Sequence, residues 1–206
     1  MKKLLLLITA LIMVLSLCSC GDGEKLAEKD GMYIAGKDGG NEAVQYSFLY
    51  PKEWELSRND GTIDLTYDCN AGSSKIDMAT ISVYAFGLEK NMTALEYWDT
   101  YKTDLEEFYV VKQADGSFKS TFKQLDMDFY GETATADDVE LPKLDDSPAI
   151  KVKYSGEKNN RVYVSDQIIC CRYKTVYFIT LTVPELYYDD VAPALMTIKD
   201  NFIFQD

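Results

Sequence analysis

Few side chains in this sequence can carry chemistry, and they fall into two groups. The first is thiol: Cys18 and Cys20 close the first twenty residues, and Cys69, Cys170 and Cys171 follow in the body. The second is carboxylate, with 34 Asp and Glu against 21 Lys and Arg and a formal charge of −13. Histidine is absent, which removes the commonest general base, the commonest metal ligand and the usual pH switch together. No Gly-x-Ser-x-Gly, no Gly-rich loop before a Lys-Ser/Thr pair and no Cys-x-x-Cys occurs, so nucleophile-elbow, P-loop and redox signatures are missing. Carboxylate chemistry such as glycoside hydrolysis needs no His, but it needs two acids fixed on either side of a cleft. The expectation is a protein that is not an enzyme and carries no cofactor.

The thiol at Cys20 has a particular setting. Lys2 and Lys3 precede a greasy run from Leu4 to Leu17, interrupted only by Thr9 and Ser16. That run is short of the ~20 apolar residues a bilayer span needs, and its charged start fits an export signal. Leu17-Cys18-Ser19-Cys20-Gly21 resembles the bacterial lipoprotein lipobox, in which a Leu, two small or tolerated residues and an obligatory Cys are processed; Cys18, behind bulky Leu17, fits less well as the modified residue. The resemblance implies removal of residues 1–19 and a diacylglyceryl thioether on Cys20. Two acyl chains suffice for stable anchoring where one does not. The expected location is therefore extracytoplasmic, with the bacterial cell membrane as a partner through the lipid on Cys20.

Removing 1–19, with Lys2 and Lys3, leaves 187 residues and a formal charge of −15. Such a charge argues against nucleic acid, whose binding rests on Lys and Arg at phosphates, and against lying flat on anionic lipid. Residues 20–43 are Gly- and Asp-rich and read as a lipidated tether reaching roughly 26 Å as a flexible coil, with Met32-Tyr33-Ile34 an apolar island able to dock as an extra strand. Residues 44–206 are long and apolar enough for a single domain.

The elements that would position any site follow from periodicity. Val44 to Tyr50 alternates up to Pro51; Thr62 to Tyr67 and Ile76 to Phe86 follow as strands, the latter with a parity shift near Ala79-Thr80 that predicts a bulge. Thr93-Ala94-Leu95-Glu96 is a capping box, and Leu95, Trp98, Tyr101, Leu105 and Phe108 behind it share one helical face. Val110 to Gln124 is ambiguous, Met127 to Thr133 reads as a short strand and Asp137 to Pro148 as an acidic loop. Ala149 to Tyr154, Arg161 to Tyr173 and Val176 to Val183 are strands, the last two joined tightly at Lys174-Thr175. A closing helix places Val191, Leu195, Ile198 and Phe202 on one stripe, with Pro193 expected in its first turn. Mostly hairpin-linked strands with two helices predict an α+β fold.

Adjacent Cys170 and Cys171 in a strand point to opposite faces, so three buried thiols are expected, with a bridge from Cys69 to one of them as the alternative. Asp126-x-Asp128, with Glu132, Asp137 and Asp138 nearby, offers oxygen to Ca²⁺, but no Ca²⁺-loop spacing is present and a solvated acidic face is the preferred reading, so no metal residues are assigned. Tyr50 and Trp54 read as core rather than as a ligand platform. Asp137 to Asp146 reads as a solvated loop, with docking to a basic partner as the alternative.

Tyr46-Ser47-Phe48-Leu49-Tyr50-Pro51-Lys52-Glu53-Trp54, then Ser147-Pro148-Ala149 leading into Ile150 to Tyr154, Val176 to Pro184 and the end at Asn201-Phe202-Ile203-Phe204, resemble PsbP-like proteins in order and spacing. The resemblance implies an α/β/α sandwich, a central antiparallel sheet flanked by helices. Plant members are extrinsic photosystem subunits that help retain calcium and chloride, and many bacterial relatives are lipoproteins without an assigned function. The metal-associated histidines of photosynthetic members have no counterpart here, so only the architecture carries over. The expected function is a membrane-anchored, non-catalytic domain that binds or helps assemble another envelope component, with an envelope protein as candidate partner. A small-ligand or Ca²⁺-binding module is the alternative, and a carboxylate-dependent glycan hydrolase a third.

Overall fold

The structure is a computed structural model that describes residues 27–29, 32–35, 46–59, 62–73, 77–130 and 144–204. Cys20, residues 1–19 expected to be an export signal, and Glu132, Asp137 and Asp138 lie outside the described residues.

Alternation of apolar and polar residues produces the strands, and short turns order them. In chain order they are β1 (Ala27–Lys29), β2 (Met32–Ala35), β3 (Tyr46–Pro51), β4 (Glu55–Asn59), β5 (Thr62–Asp68), β6 (Met78–Gly87), helix α1 (Ala94–Phe108), β7 (Val110–Lys112), β8 (Phe118–Ser120), β9 (Lys123–Tyr130), β10 (Ala149–Lys158), β11 (Arg161–Arg172) and β12 (Thr175–Pro184), then helix α2 (Tyr188–Asp200) and β13 (Ile203–Phe204). Seven strands form one antiparallel sheet in the order β4-β5-β6-β12-β11-β10-β9. Two-residue turns at Asn159-Asn160 and Tyr173-Lys174 join β10, β11 and β12 with φ between 49° and 60°. Positive φ at both turn residues matches the twist of the hairpin strands, and Asn accepts it more readily than most residues.

One face of the sheet carries Ile63, Leu65, Ile81, Ile179 and Leu181 against Val191, Leu195 and Ile198 of α2. The small sheet β1-β2-β3-β13 covers the rest of that face through Tyr46, Phe48 and Tyr50 of β3. The other face carries Ile150, Val152, Ile169, Val176 and Phe178 against Trp98 and Leu105 of α1. The result is the α+β architecture expected: a central antiparallel sheet between helices.

Several expectations are corrected. The predicted bulge in β6 is absent: Thr80 pairs with Thr66 on one side and Thr182 on the other in unbroken register. Small Ala79 is itself a core position at the start of the buried alternation, so the parity never changes; the shift in the sheet is instead at Lys153/Tyr154 of β10. Phe108 leaves the helical stripe and is 56% exposed, and Ala94 is buried instead. Pro193 is the sixth residue of α2, because a 3-10 turn at Glu185–Tyr187 leads into a helix that already starts at Tyr188. The stretch expected to be an unstructured tether contains β1 and β2, and β2 pairs with β3 as the apolar island allows. Strand β4 was not foreseen, and the ambiguous Val110 to Gln124 stretch forms the hairpin β7-β8 and the start of β9.

Cys69, Cys170 and Cys171 are in no disulfide; Cys170 is buried in the α2 face, whereas Cys69 and Cys171 are only half-buried, packed on the α2 and α1 faces respectively. Opposed side chains on consecutive strand residues cannot be bridged without tearing the ladder, and burial pushes the Cys69 thiol up. Unfolding a Cys20→Ser protein without reductant should therefore expose three titratable body thiols; finding one would mean a bridge.

Candidate functional site

The face under α1 is apolar at one end and polar at the other. Register explains the change, since partners in an antiparallel sheet point to the same side. One row across the sheet reads Tyr84, Phe178, Ile169 and Ile150; the next reads Asp64, Ser82, Thr180, Gln167 and Val152; the one after reads Thr66, Thr80, Thr182, Ser165 and Tyr154. Helix α1 begins at its capping box, where Glu96 N–H donates to Thr93 Oγ1 at 3.1 Å and Thr93 N–H donates to Glu96 Oε2 at 2.8 Å. From there it seals the apolar rows and overhangs the polar ones.

The overhang leaves a cleft of about 380 Å³, within the range of small-molecule sites. Its floor is Ser82, Gln167, Thr180 and Thr182; Tyr84 and Tyr154 rise from the sheet, Tyr101, Asp104 and Phe108 come from α1, and Tyr109 caps the helix end. The floor is bonded within itself. Ser82 Oγ–H donates to Asp64 Oδ1 at 2.6 Å, Gln167 Nε2–H donates to Thr180 Oγ1 at 2.8 Å, and the Ser165 and Thr182 hydroxyls lie 3.0 Å apart. Gln167 is 1% exposed, and its carbonyl oxygen Oε1 has no hydrogen-bond partner. A buried unpaired acceptor costs about 1–3 kcal/mol, so its retention in a cleft wall marks the position chemically.

The phenols are donors. Burial raises Tyr84, Tyr101, Tyr109 and Tyr154 above the ordinary tyrosine value of 10.0, with neighbouring phenols adding to the rise at Tyr84, Tyr101 and Tyr154. Tyr84 and Tyr101 bond each other, and Tyr101 also meets the Gln167 side chain. A raised folded-state value favours the protonated native form, so its stabilisation is whole below pH 10 and is lost as pH rises through the folded values. Alkaline titration should therefore show these tyrosinates appearing together with cooperative unfolding; independent ionisation of a folded protein near pH 10 would contradict the buried cluster.

Among the lining residues Asp104 is the one ionisable carboxylate, and no Lys or Arg lines the cleft. The residues singled out in the sequence lie elsewhere. Asp126 and Asp128 are exposed on β9, opposite Lys153 and Lys151 of β10, and among the described residues no three His, Cys, Asp or Glu gather as a metal-holding group. Of the acidic loop, Asp145 is described, and its Oδ2 accepts from Phe204 N–H at 2.6 Å. Tyr50 and Trp54 are core. Gln167, Ser82, Thr180 and Thr182 were not singled out; the available signal was the polar run Ser165-x-Gln167 on inward positions of an otherwise apolar strand.

A second hollow, beside α2, holds Asp166, whose Oδ2 accepts from Tyr188 Oη–H at 2.8 Å and pairs with Lys151 Nζ at 3.2 Å. Its charge is matched in place, which favours a structural role.

The fold and site define a class: an antiparallel α+β sandwich with a phenol- and hydroxyl-lined cleft under one helix. Its structure is similar to that of PsbP from the cyanobacterium Synechocystis sp. PCC 6803, at 12% identity and a TM-score of 0.49, over 91% of this chain and 99% of that one. It is also similar to LpqN of Mycobacterium tuberculosis, described as involved in cell envelope biogenesis, at 12% identity and 0.48 over 86% and 93%. A third is PA94 of Pseudomonas aeruginosa, described as a protein of unknown function and putative regulator, at 13% identity and 0.46 over 73% and 85%. No protein-family model and no curated protein matches the sequence.

Proposed function

We propose that this protein is a non-catalytic, extracytoplasmic lipoprotein, held to the cell membrane through Cys20, that binds or helps assemble another envelope component and engages it at the cleft under α1. The observation that carries the reading is the cleft itself, with the buried Gln167 carbonyl in its wall lacking a partner. A component that fits is small, or presents a small group to the opening. Asp104 faces no second lining carboxylate, which favours binding over a glycoside hydrolysis that requires a pair. Among the described residues no helix is long and apolar enough to cross a membrane; the anchoring in this reading rests on the lipobox-like sequence ending at Cys20. Cys20→Ser should move the protein from the membrane fraction to the soluble one, since loss of both chains removes the stable anchor. Unchanged partition would refute lipidation at Cys20.

A further inference from the structure

Resting on that reading of the cleft, we propose that its ligand is a neutral polyhydroxylated ring, a sugar of one or two units or a sugar-bearing group, seated on the Gln167–Thr180–Ser82 row beneath Tyr101. The lining selects by charge. An anion would meet no Lys or Arg and would face Asp104; a cation would meet phenol O–H groups that present donors, since burial keeps them protonated. A polyol fits both sides of the inventory. Its hydroxyls donate to Gln167 Oε1, the acceptor without a partner, and accept from the tyrosine and threonine hydroxyls, the Ser82 proton being already given to Asp64. The weakly polar faces of its ring lie against Tyr84 and Tyr154, aromatic surfaces that present an apolar body with a polar tip.

The arrangement is also stiff. Tyr84 stacks on Phe178 with centroids 4.7 Å apart, and Tyr154 packs on Trp98 at 5.9 Å. Little ordering remains to be done on binding, which lowers its entropic cost.

The experiment uses detergent-extracted mature protein, with cellobiose, glucuronate and choline as neutral, anionic and cationic probes, read by melting shift and calorimetry. Cellobiose should bind saturably and raise the melting temperature, with glucuronate and choline inert. Tyr101→Phe, which keeps the ring and removes one hydroxyl, should weaken cellobiose roughly 3- to 10-fold, the worth of one net hydrogen bond. Gln167→Met should abolish the shift, and a cooperative melt with an unchanged circular-dichroism spectrum of Tyr101→Phe without probe guards against a folding defect. Tyr101-dependent binding of glucuronate or choline in place of cellobiose would overturn the sugar class and leave the cleft in use. Silence from all three probes would overturn the sugar class as well, and the cleft's use as a binding seat is then decided separately by crosslinking from Phe108 in cells.

Discussion

Replacing Gly156 with alanine is expected to lower stability by about 2–3 kcal/mol, the cost of forcing an extra carbon into a packed interior, and to lower the melting temperature by roughly 5–10 °C. Gly156 sits in β10, and a Cβ built there would fall on Cβ, Cγ and Cδ1 of Tyr109. Tyr109 is itself 6% exposed and caps α1, its N–H donating to Leu105 O at 3.0 Å. Neither neighbour can give way cheaply. The glycine belongs to the strand, and the ring is held by Tyr154 at 6.3 Å and by Phe108 at 5.0 Å. Because Tyr109 also lines the cleft, the change should distort the cleft wall. A double-mutant cycle with Tyr109→Ala checks the cause: the two changes should be far from additive, since the second removes Cγ and Cδ1, the two nearest of the three atoms the first strikes. Additive losses, or a Gly156→Ala protein as stable as the parent, would contradict the close packing.

Trp98→Ala should cost more, about 3–5 kcal/mol, as removal of a fully buried indole does. Trp98 is 1% exposed and packs on Tyr101, Phe122 and Tyr154 at 5.9 to 6.4 Å, while its Nε1–H donates to Gln124 Oε1 at 3.2 Å. A helix of 15 residues is marginal in water without such contacts, so the change should loosen α1 as a whole and open the roof of the cleft. Phe108→Ala on the same helix is the internal comparison: at 56% exposure it should cost below about 1 kcal/mol. Denaturant midpoints of the two variants, measured side by side, check the ordering. Equal losses would mean that α1 is not held by the face assigned to it.

How far the fold was legible follows from these residues. The alternation of Ile63, Leu65, Ile81, Ile179 and Leu181 was visible because one side of each strand must be buried. The capping box at Thr93 was visible because its two bonds are local. Phe108 misled because helical spacing continues to the end of the helix, whereas there Tyr109, one residue on, takes the buried position against Gly156 and leaves Phe108 outside. Strand β4 was hidden because Glu55-Leu56-Ser57-Arg58-Asn59 is polar and lies at the sheet edge, where one hydrogen-bonded partner, β5, suffices. The cleft was least legible. It depends on register, since Gln167, Thr180 and Ser82 are brought together by pairing between residues 13 and 98 apart from one another only in the folded sheet: Gln167 opposite Thr180, Thr180 opposite Ser82. Composition and spacing had drawn attention instead to Asp126 and Asp128, which the sheet leaves in water.

The proposed role requires a membrane-held protein to engage an envelope component at the cleft under α1. The direct measurement is site-specific photocrosslinking in intact cells, with the photoreactive side chain placed at exposed Phe108 on the cleft rim or at Leu186, 82% exposed beside α2. One saturable adduct is expected from Phe108, absent from Leu186, reduced by Gln167→Met and lost when Cys20→Ser frees the protein from the membrane. The same adduct from both positions, or none from Phe108 in a well-expressed, membrane-bound protein, would contradict it.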